Sequence, residues 1–182
     1  MLNEWKGFLN KVQCEGLIAA TDGRLEVAPI MSNDPHWRIA ESCWLDDTDD
    51  MARGLKAYLY MHLGLPPHKM EPVQIVKYVT GGEYKPHVDY LAFTDEADRV
   101  RESLRGGQRV KTAMVYLNDD YVGGVTLFTK AGVKIKPECG KLVLWDNVTP
   151  DGYGDPETEH SGLPVKGTKW IALVWIRQGE WR

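Results

Sequence analysis

The stretch Val73–Tyr90, VQIVKYVTGGEYKPHVDY, constrains the fold more than any other part of the chain. Its first residues alternate, placing Val73, Ile75 and Lys77 on one face of an extended segment and Gln74, Val76 and Tyr78 on the other. Gly81-Gly82 interrupts the run, and extension resumes near Tyr84, where Pro86 biases Lys85 away from helix. Side chains two apart on a strand share a face, so His87 and Asp89 are expected to point the same way, imidazole beside carboxylate. Such a pair supplies two ligands of a mononuclear metal site, and one further histidine would complete a 2-His-1-carboxylate set. A lone His-x-Asp triplet equally suits a surface strand with two polar residues facing water, so its meaning depends on the rest of the chain.

After Tyr90, short segments rich in Val, Ile, Thr and aromatics recur at Arg109–Leu117, Val125–Phe128, Lys134–Lys136, Lys141–Trp145 and Lys169–Ile176. Asn118-Asp119-Asp120, Gly123-Gly124 and Pro137-Glu138-Cys139-Gly140 punctuate them as turns. Short strands at this spacing predict a sandwich or jelly roll. Two longer connections break the rhythm. Residues 93–108, FTDEADRVRESLRGGQ, predict a short polar helix ending near Gly106, and residues 146–168 predict a long irregular loop. The polarity of 93–108 and its Gly106-Gly107 pair suggest a hinged lid that closes over substrate.

Upstream, Leu2, Trp5, Leu9 and Val12 recur at helical spacing and predict an amphipathic helix over residues 2–20. Arg24–Ile30 and Trp37–Trp44 read as strands separated by the loop Ser32-Asn33-Asp34-Pro35. A second helix is expected to be capped by Asp47 or Thr48, with Asp49 and Asp50 at the positive end of its dipole, and to end at Gly64. Met51, Leu55, Tyr58, Leu59 and His62 would form its buried stripe, which makes His62 a packed helix residue rather than a ligand. His36 and His68 sit beside prolines and read as solvent-facing.

Charge and cysteine usage narrow the function classes. A net charge of −4 without a long basic run gives no strong sequence-independent grip on nucleic acid. Cys14, Cys43 and Cys139 are odd in number and lack C-x-x-C spacing, which argues against a disulfide framework and a zinc ribbon and fits a reducing compartment. The N-terminal MLNEWKGFLNK has no basic segment followed by an apolar core, and no apolar run approaches membrane-spanning length. The expectation is a soluble, cytoplasmic protein with no membrane partner. A length of 182 residues suits one domain, with helical support over 1–70 and a jelly-roll core over 71–178.

His160, in the second long connection, is followed nine residues later by Lys169, the first charge of an otherwise apolar strand. The order His-x-Asp, strands, His, then a basic residue on the last core strand is far more specific than any pair within it. It resembles the prolyl 4-hydroxylase branch of the Fe(II)/2-oxoglutarate-dependent dioxygenases. The resemblance is carried by Gln74–Asp89, Gly107–Leu117 (GQRVKTAMVYL), Gly123–Phe128 (GGVTLF), Gly140–Trp145 and Pro150–Lys169 (PDGYGDPETEHSGLPVKGTK). It covers roughly 70–177 densely and the N-terminal third loosely. It implies a mainly β (α+β) double-stranded β-helix, or jelly roll, with supporting N-terminal helices.

Position by position, the resemblance puts His87, Asp89 and His160 on the iron ligands and Lys169 on the distal carboxylate of 2-oxoglutarate. Tyr78 and Thr126 match positions that hydrogen-bond the same cosubstrate, while Tyr116 reads as core packing, with a further wall of the site as the alternative. Three protein ligands leave about three open iron positions, which the family fills with 2-oxoglutarate and O2, releasing succinate and CO2 as substrate is hydroxylated. Ascorbate is implied as reductant. Lys169 needs such a cosubstrate, because an unpaired buried ammonium is costly. Tyr84, Arg109 and Trp175 match positions lining the peptide groove, which implies a proline-containing peptide or protein as substrate. Arg177 stands where relatives often carry His. The rivals are the same chemistry on a free amino acid, small metabolite or nucleobase, and a non-catalytic jelly-roll binding module.

Overall fold

The computed structural model describes residues 2–29, 34, 36–93 and 95–182. Ile30 of the expected first strand, Ser32, Asn33 and Pro35 of the expected loop, and Thr94 of the expected lid lie outside the described residues.

The chain opens with a strand, β1 (Leu2–Trp5), where helical spacing had predicted the start of a long helix. Leu2 faces Trp145 and Trp5 faces Leu142 across an antiparallel ladder, so tertiary pairing overrides a pattern of only two apolar residues. Helix α1 (Lys11–Ala19) begins later, behind a capping box. Asn10 Oδ1 accepts from the Gln13 amide at 2.9 Å, and Gln13 Oε1 accepts from the Asn10 amide at 2.8 Å. The short β2 (Glu26–Val27) and β3 (Glu41–Leu45) replace the two longer expected strands. Helix α2 (Asp50–Leu63) is capped by Asp49, one or two residues after the expected position, and ends at Gly64 with φ 67°. Its buried face is Ala52, Leu55, Lys56 and Leu59; His62 is exposed, with its ring 4.2 Å from that of Tyr58. His36 and His68 are exposed as expected.

The remaining elements are β4 (Val73–Tyr78), β5 (Tyr84–His87), α3 (Glu96–Leu104), β6 (Arg109–Tyr116) and β7 (Val122–Gly123). They are followed by β8 (Thr126–Phe128), β9 (Val133–Ile135), β10 (Leu142–Asp146), β11 (His160–Gly162), β12 (Val165–Lys166) and β13 (Lys169–Arg177). A seven-stranded sheet runs β1-β10-β6-β13-β4-β3-β2 and a four-stranded sheet runs β5-β11-β8-β9, all antiparallel. Stacked on one another, they form the jelly roll. The connection 146–168 is more ordered than expected, since it contributes β11 and β12; their sequences, His-Ser-Gly and Val-Lys, carry no apolar alternation.

The period of two along β13 divides the core. Ala172, Val174 and Ile176 pack with Val73, Ile75, Leu17, Leu55 and Leu59 under the helices. Ile171, Leu173 and Trp175 turn the other way, joining Val76, Tyr78, Met114, Phe128 and Trp145 between the sheets. The second face lines the cavity described below. Among the described residues, no helix is long and apolar enough to cross a membrane.

Candidate metal centre

β11 lies antiparallel to β5, and the ladder sets His160 directly opposite His87. Asp89 comes from a bend beyond the end of β5, so the shared-strand geometry expected for His87 and Asp89 does not hold. The side chains converge nonetheless. Asp89 Oδ1 lies 3.8 Å from His87 Nε2, and Oδ2 lies 3.9 Å from His160 Nε2. One ligand atom from each residue falls within 4.8 Å of the others.

The surroundings orient both rings for ligation. His87 Nδ1 is 2.8 Å from Lys85 O and His160 Nδ1 is 3.0 Å from Thr158 O. A carbonyl only accepts, so each Nδ1 carries a proton and each Nε2 is the ring atom turned toward Asp89. Burial, joined by the neighbouring His160 ring and opposed by Asp89, pushes His87 down to about 3 and keeps it neutral. Burial pushes the Asp89 carboxyl up, but His160, His87, a 2.7 Å bond from Thr112 Oγ1 and Arg109 outweigh it, leaving the carboxyl lowered and ionised. Thr112 is itself aligned by Asn147 Nδ2, which donates to its hydroxyl at 2.8 Å. Two imidazole nitrogens and a carboxylate thus face one another, a set that fits a divalent transition metal.

The centre borders a cavity of about 240 Å³ that also receives Lys169, Tyr78, Thr126 and Trp175. Lys169 is 3% exposed and, among the described residues, donates only to Gly124 O, at 2.7 Å. Its ammonium faces the Tyr78 and Tyr116 rings at 5.4 and 5.3 Å, and burial alone pushes it down to about 7. A buried cation without a carboxylate among the described residues fits an anionic ligand. Thr126 Oγ1 lies 2.7 Å from Tyr116 OH, and Tyr116, fully buried, packs in the core as expected.

Tyr84 stacks on His87 with ring centroids 3.6 Å apart, and Trp175 lines the cavity with its indole Nε1 buried and unpartnered among the described residues. Arg109 lines the cavity as well. Its Nε and Nη2 hold Glu71 at 2.6 and 2.8 Å, and its guanidinium lies 4.1 Å over the Trp175 ring, so two of its donors are committed within the protein. The Gly106-Gly107 hinge is also not free: Arg177 Nη1 donates to Gly107 O, and the Gly179 amide donates to Gly106 O at 2.7 Å. Sequence reasoning missed Arg38, which reaches the cavity 6% exposed and donates to Gln74 Oε1 at 3.3 Å, its guanidinium 4.7 Å over the Tyr84 ring. The available signal was Gln74, a polar residue on the Val76–Tyr78 face of an apolar strand.

The family model of the 2OG-Fe(II) oxygenase superfamily matches residues 73–177. Prolyl 4-hydroxylase subunit alpha-1 of Mus musculus is 35% identical over 145 residues, covering 79% of this chain and 27% of the relative. The Gallus gallus subunit is 33% identical over 145 residues, covering 79% of this chain and 28% of the relative. The chain therefore spans little more than a quarter of the length of these relatives. The viral collagen prolyl hydroxylase of Paramecium bursaria Chlorella virus-1, solved with 2OG, superposes with a TM-score of 0.76 at 29% identity, over 97% of this chain and 95% of that one.

Proposed function

This chain belongs to the 2OG-Fe(II) oxygenase superfamily, and from that premise we propose that it hydroxylates prolyl residues of a peptide or protein at C4, converting 2-oxoglutarate and O2 to succinate and CO2. The observation that carries the proposal is the His87–Asp89–His160 cluster on a cavity that also holds a buried ammonium without an acid partner among the described residues. Fe(II), with 2-oxoglutarate and O2, supplies the oxidising power that replaces a prolyl C–H by C–OH. Ascorbate is assigned the role of keeping the metal reduced.

His87 Nε2, His160 Nε2 and one Asp89 oxygen would hold the metal, with Thr112 and the two backbone carbonyls orienting them. Lys169 would take the distal carboxylate of 2-oxoglutarate, with Tyr78 and Thr126 beside it. Tyr84 and Trp175 would flank the proline ring, while Arg109 and Arg38 present guanidinium groups toward backbone carbonyls of the peptide. The prolyl substrate is supported by the prolyl hydroxylases among the relatives and by these aromatic walls. We take residues 1–182 as one domain, and the three free cysteines support a cytoplasmic setting.

The test is mass spectrometry of a proline-peptide panel incubated with Fe(II), 2-oxoglutarate and ascorbate. A gain of about 16 Da on proline with one succinate per hydroxyl is expected, as oxygen transfer requires. Hydroxylation of a free amino acid or nucleobase in place of every peptide would overturn the substrate, and absence of succinate in every reaction would overturn the chemistry.

A further inference from the structure

Arg177 ends β13 and lines neither the cavity nor the outer groove beside it. Its guanidinium, 3% exposed, reaches three acceptors. Nε donates to Glu71 Oε1 at 2.6 Å, Nη2 donates to Glu102 Oε2 of α3 at 3.0 Å, and Nη1 donates to Gly107 O. Glu71 Oε1 also accepts from Arg109 Nε, and Oε2 from Arg109 Nη2, in the guanidinium over Trp175. One buried carboxylate is thus shared between an arginine at the cavity and an arginine that grips α3. The groove outside the metal centre is bordered by His87, Asp89 and Tyr90 on one side and by Asp98, Arg101 and Glu102 of α3 on the other.

We propose that Arg177 is a positioning residue: it fixes α3 as a rigid wall of the substrate groove and, through Glu71, orients Arg109 beside the metal centre. The planar fork reaches two carboxylates and a carbonyl in fixed, spread directions, which the compact ammonium of a lysine does not reproduce. The backbone reinforces the bracket from the other side. The Gln178 amide donates to Gln108 O at 2.8 Å, and Gly106, at φ 114°, approaches so closely that a Cβ there would lie 2.7 Å from Glu180 O. In place of a lid hinged at Gly106-Gly107, this end of the segment is welded to the last strand. For its kinetic arm alone, the inference rests on the prolyl-peptide reading.

The test compares amide hydrogen exchange of residues 96–104 in the unbound, full-length wild type, Arg177→Lys and Glu102→Gln, with peptide KM and kcat measured for Arg177→Lys. Because Arg177 is buried, Glu102→Gln provides the second route: it opens the α3 arm while leaving Glu71 paired with both arginines. Exchange in α3 is expected to quicken about tenfold in both variants, as local opening is eased. Peptide KM is expected to rise about tenfold in Arg177→Lys with kcat little changed, the equivalent of about 1.4 kcal/mol in binding. Unchanged exchange in Glu102→Gln overturns the bracket. Faster exchange with an unchanged KM overturns α3 as a groove wall, and a fall in kcat alone would mark a general structural effect and overturn positioning. Failure of all prolyl peptides would sink the substrate reading, while the exchange result still decides the bracket.

Discussion

His87 and His160 are registered partners across the β5–β11 ladder, with ring centroids 4.3 Å apart. Directly opposed side chains of an antiparallel pair share a face, so the pairing of these two short strands decides whether the metal centre forms. A slip of one residue would turn an imidazole to the other side of the sheet. β8 opposes that slip, because it pairs with the other edge of β11 and sets Phe128 against His160 and Leu127 against Ser161. Asp89 then closes the set from a bend, its carboxylate held by Thr112.

The first prediction follows from that division of labour. Added Fe(II) or redox-silent Mn(II) is expected to raise the Tm of the metal-free protein, by about 2.7 kcal/mol of stability at one hundred times Kd. Asp89→Ala and His160→Ala remove one of three ligands each, so both are expected to lose the shift and the turnover while retaining β-sheet circular dichroism. An undiminished metal-induced shift in both variants would place the metal elsewhere.

How much of this was legible depends on whether the signal was local. Lys169 and the alternation of β13 could be read directly, because a charge heading an apolar strand stands out within nine residues. The His-x-Asp spacing was legible too, though not for the reason given, since Asp89 lies past the strand end. β1 was misread because Leu2 and Trp5 at a spacing of three satisfy a helix as well as a twisted edge strand. The Asn10–Gln13 box marked the true helix start. The pairing of Arg109 with Glu71 was not legible, because the two lie 38 residues apart and only the β13–β6 ladder and the loop before β4 bring them together.

Lys169 gives a stability prediction with a definite sign. Burial pushes its ammonium from 10.5 down to about 7, so between those values the unfolded chain binds more protons than the folded one. Stability of the unliganded protein therefore rises with pH across that window, and the full penalty is present below it. Lys169→Met is expected to stabilise the unliganded protein by about 1–4 kcal/mol near neutral pH and to flatten the slope. A bound carboxylate restores the ammonium, so wild-type affinity for 2-oxoglutarate is expected to weaken as pH rises above about 7, the value to which burial brings Lys169. Truncation of a buried charge partner costs about 30-fold to several thousand-fold, which is the loss of 2-oxoglutarate affinity expected for Lys169→Ala. Identical denaturation profiles of wild type and Lys169→Met from neutral to alkaline pH would refute the burial argument.

Docking of the N-terminal segment onto the barrel gives another. Gly140 adopts φ 76°, the Leu9 amide donates to its carbonyl at 3.0 Å, and a Cβ there would lie 1.9 Å from Leu9 O. Gly140→Ala combines that clash with the left-handed backbone, which alone costs an L-residue about 1–2 kcal/mol. Chemical denaturation is expected to show a loss of at least that size, with exchange quickening in β1 and α1 ahead of β13. A variant as stable as wild type would mean that residues 9 and 140 separate readily.

The last prediction concerns the aromatic walls. Tyr84 stacks on His87 at 3.6 Å, and Trp175 lies in the cavity with Arg109 over its ring at 4.1 Å. Two flat faces suit a pyrrolidine ring, and a proline-rich peptide loses little conformational freedom on binding because its extended form is largely preset. Truncating an aromatic anchor typically costs 2 kcal/mol or more, so Tyr84→Ala and Trp175→Ala are each expected to weaken peptide binding by about 30-fold. Uncoupled 2-oxoglutarate turnover should persist in both, because neither residue belongs to the metal cluster. Tyr84 also supports a ligand ring, so its variants need the metal-induced Tm shift as a control. Tyr84→Phe keeps the stack and is expected to retain most peptide binding. Full peptide hydroxylation by both alanine variants, with the metal shift intact, would show that the proline ring sits against other side chains.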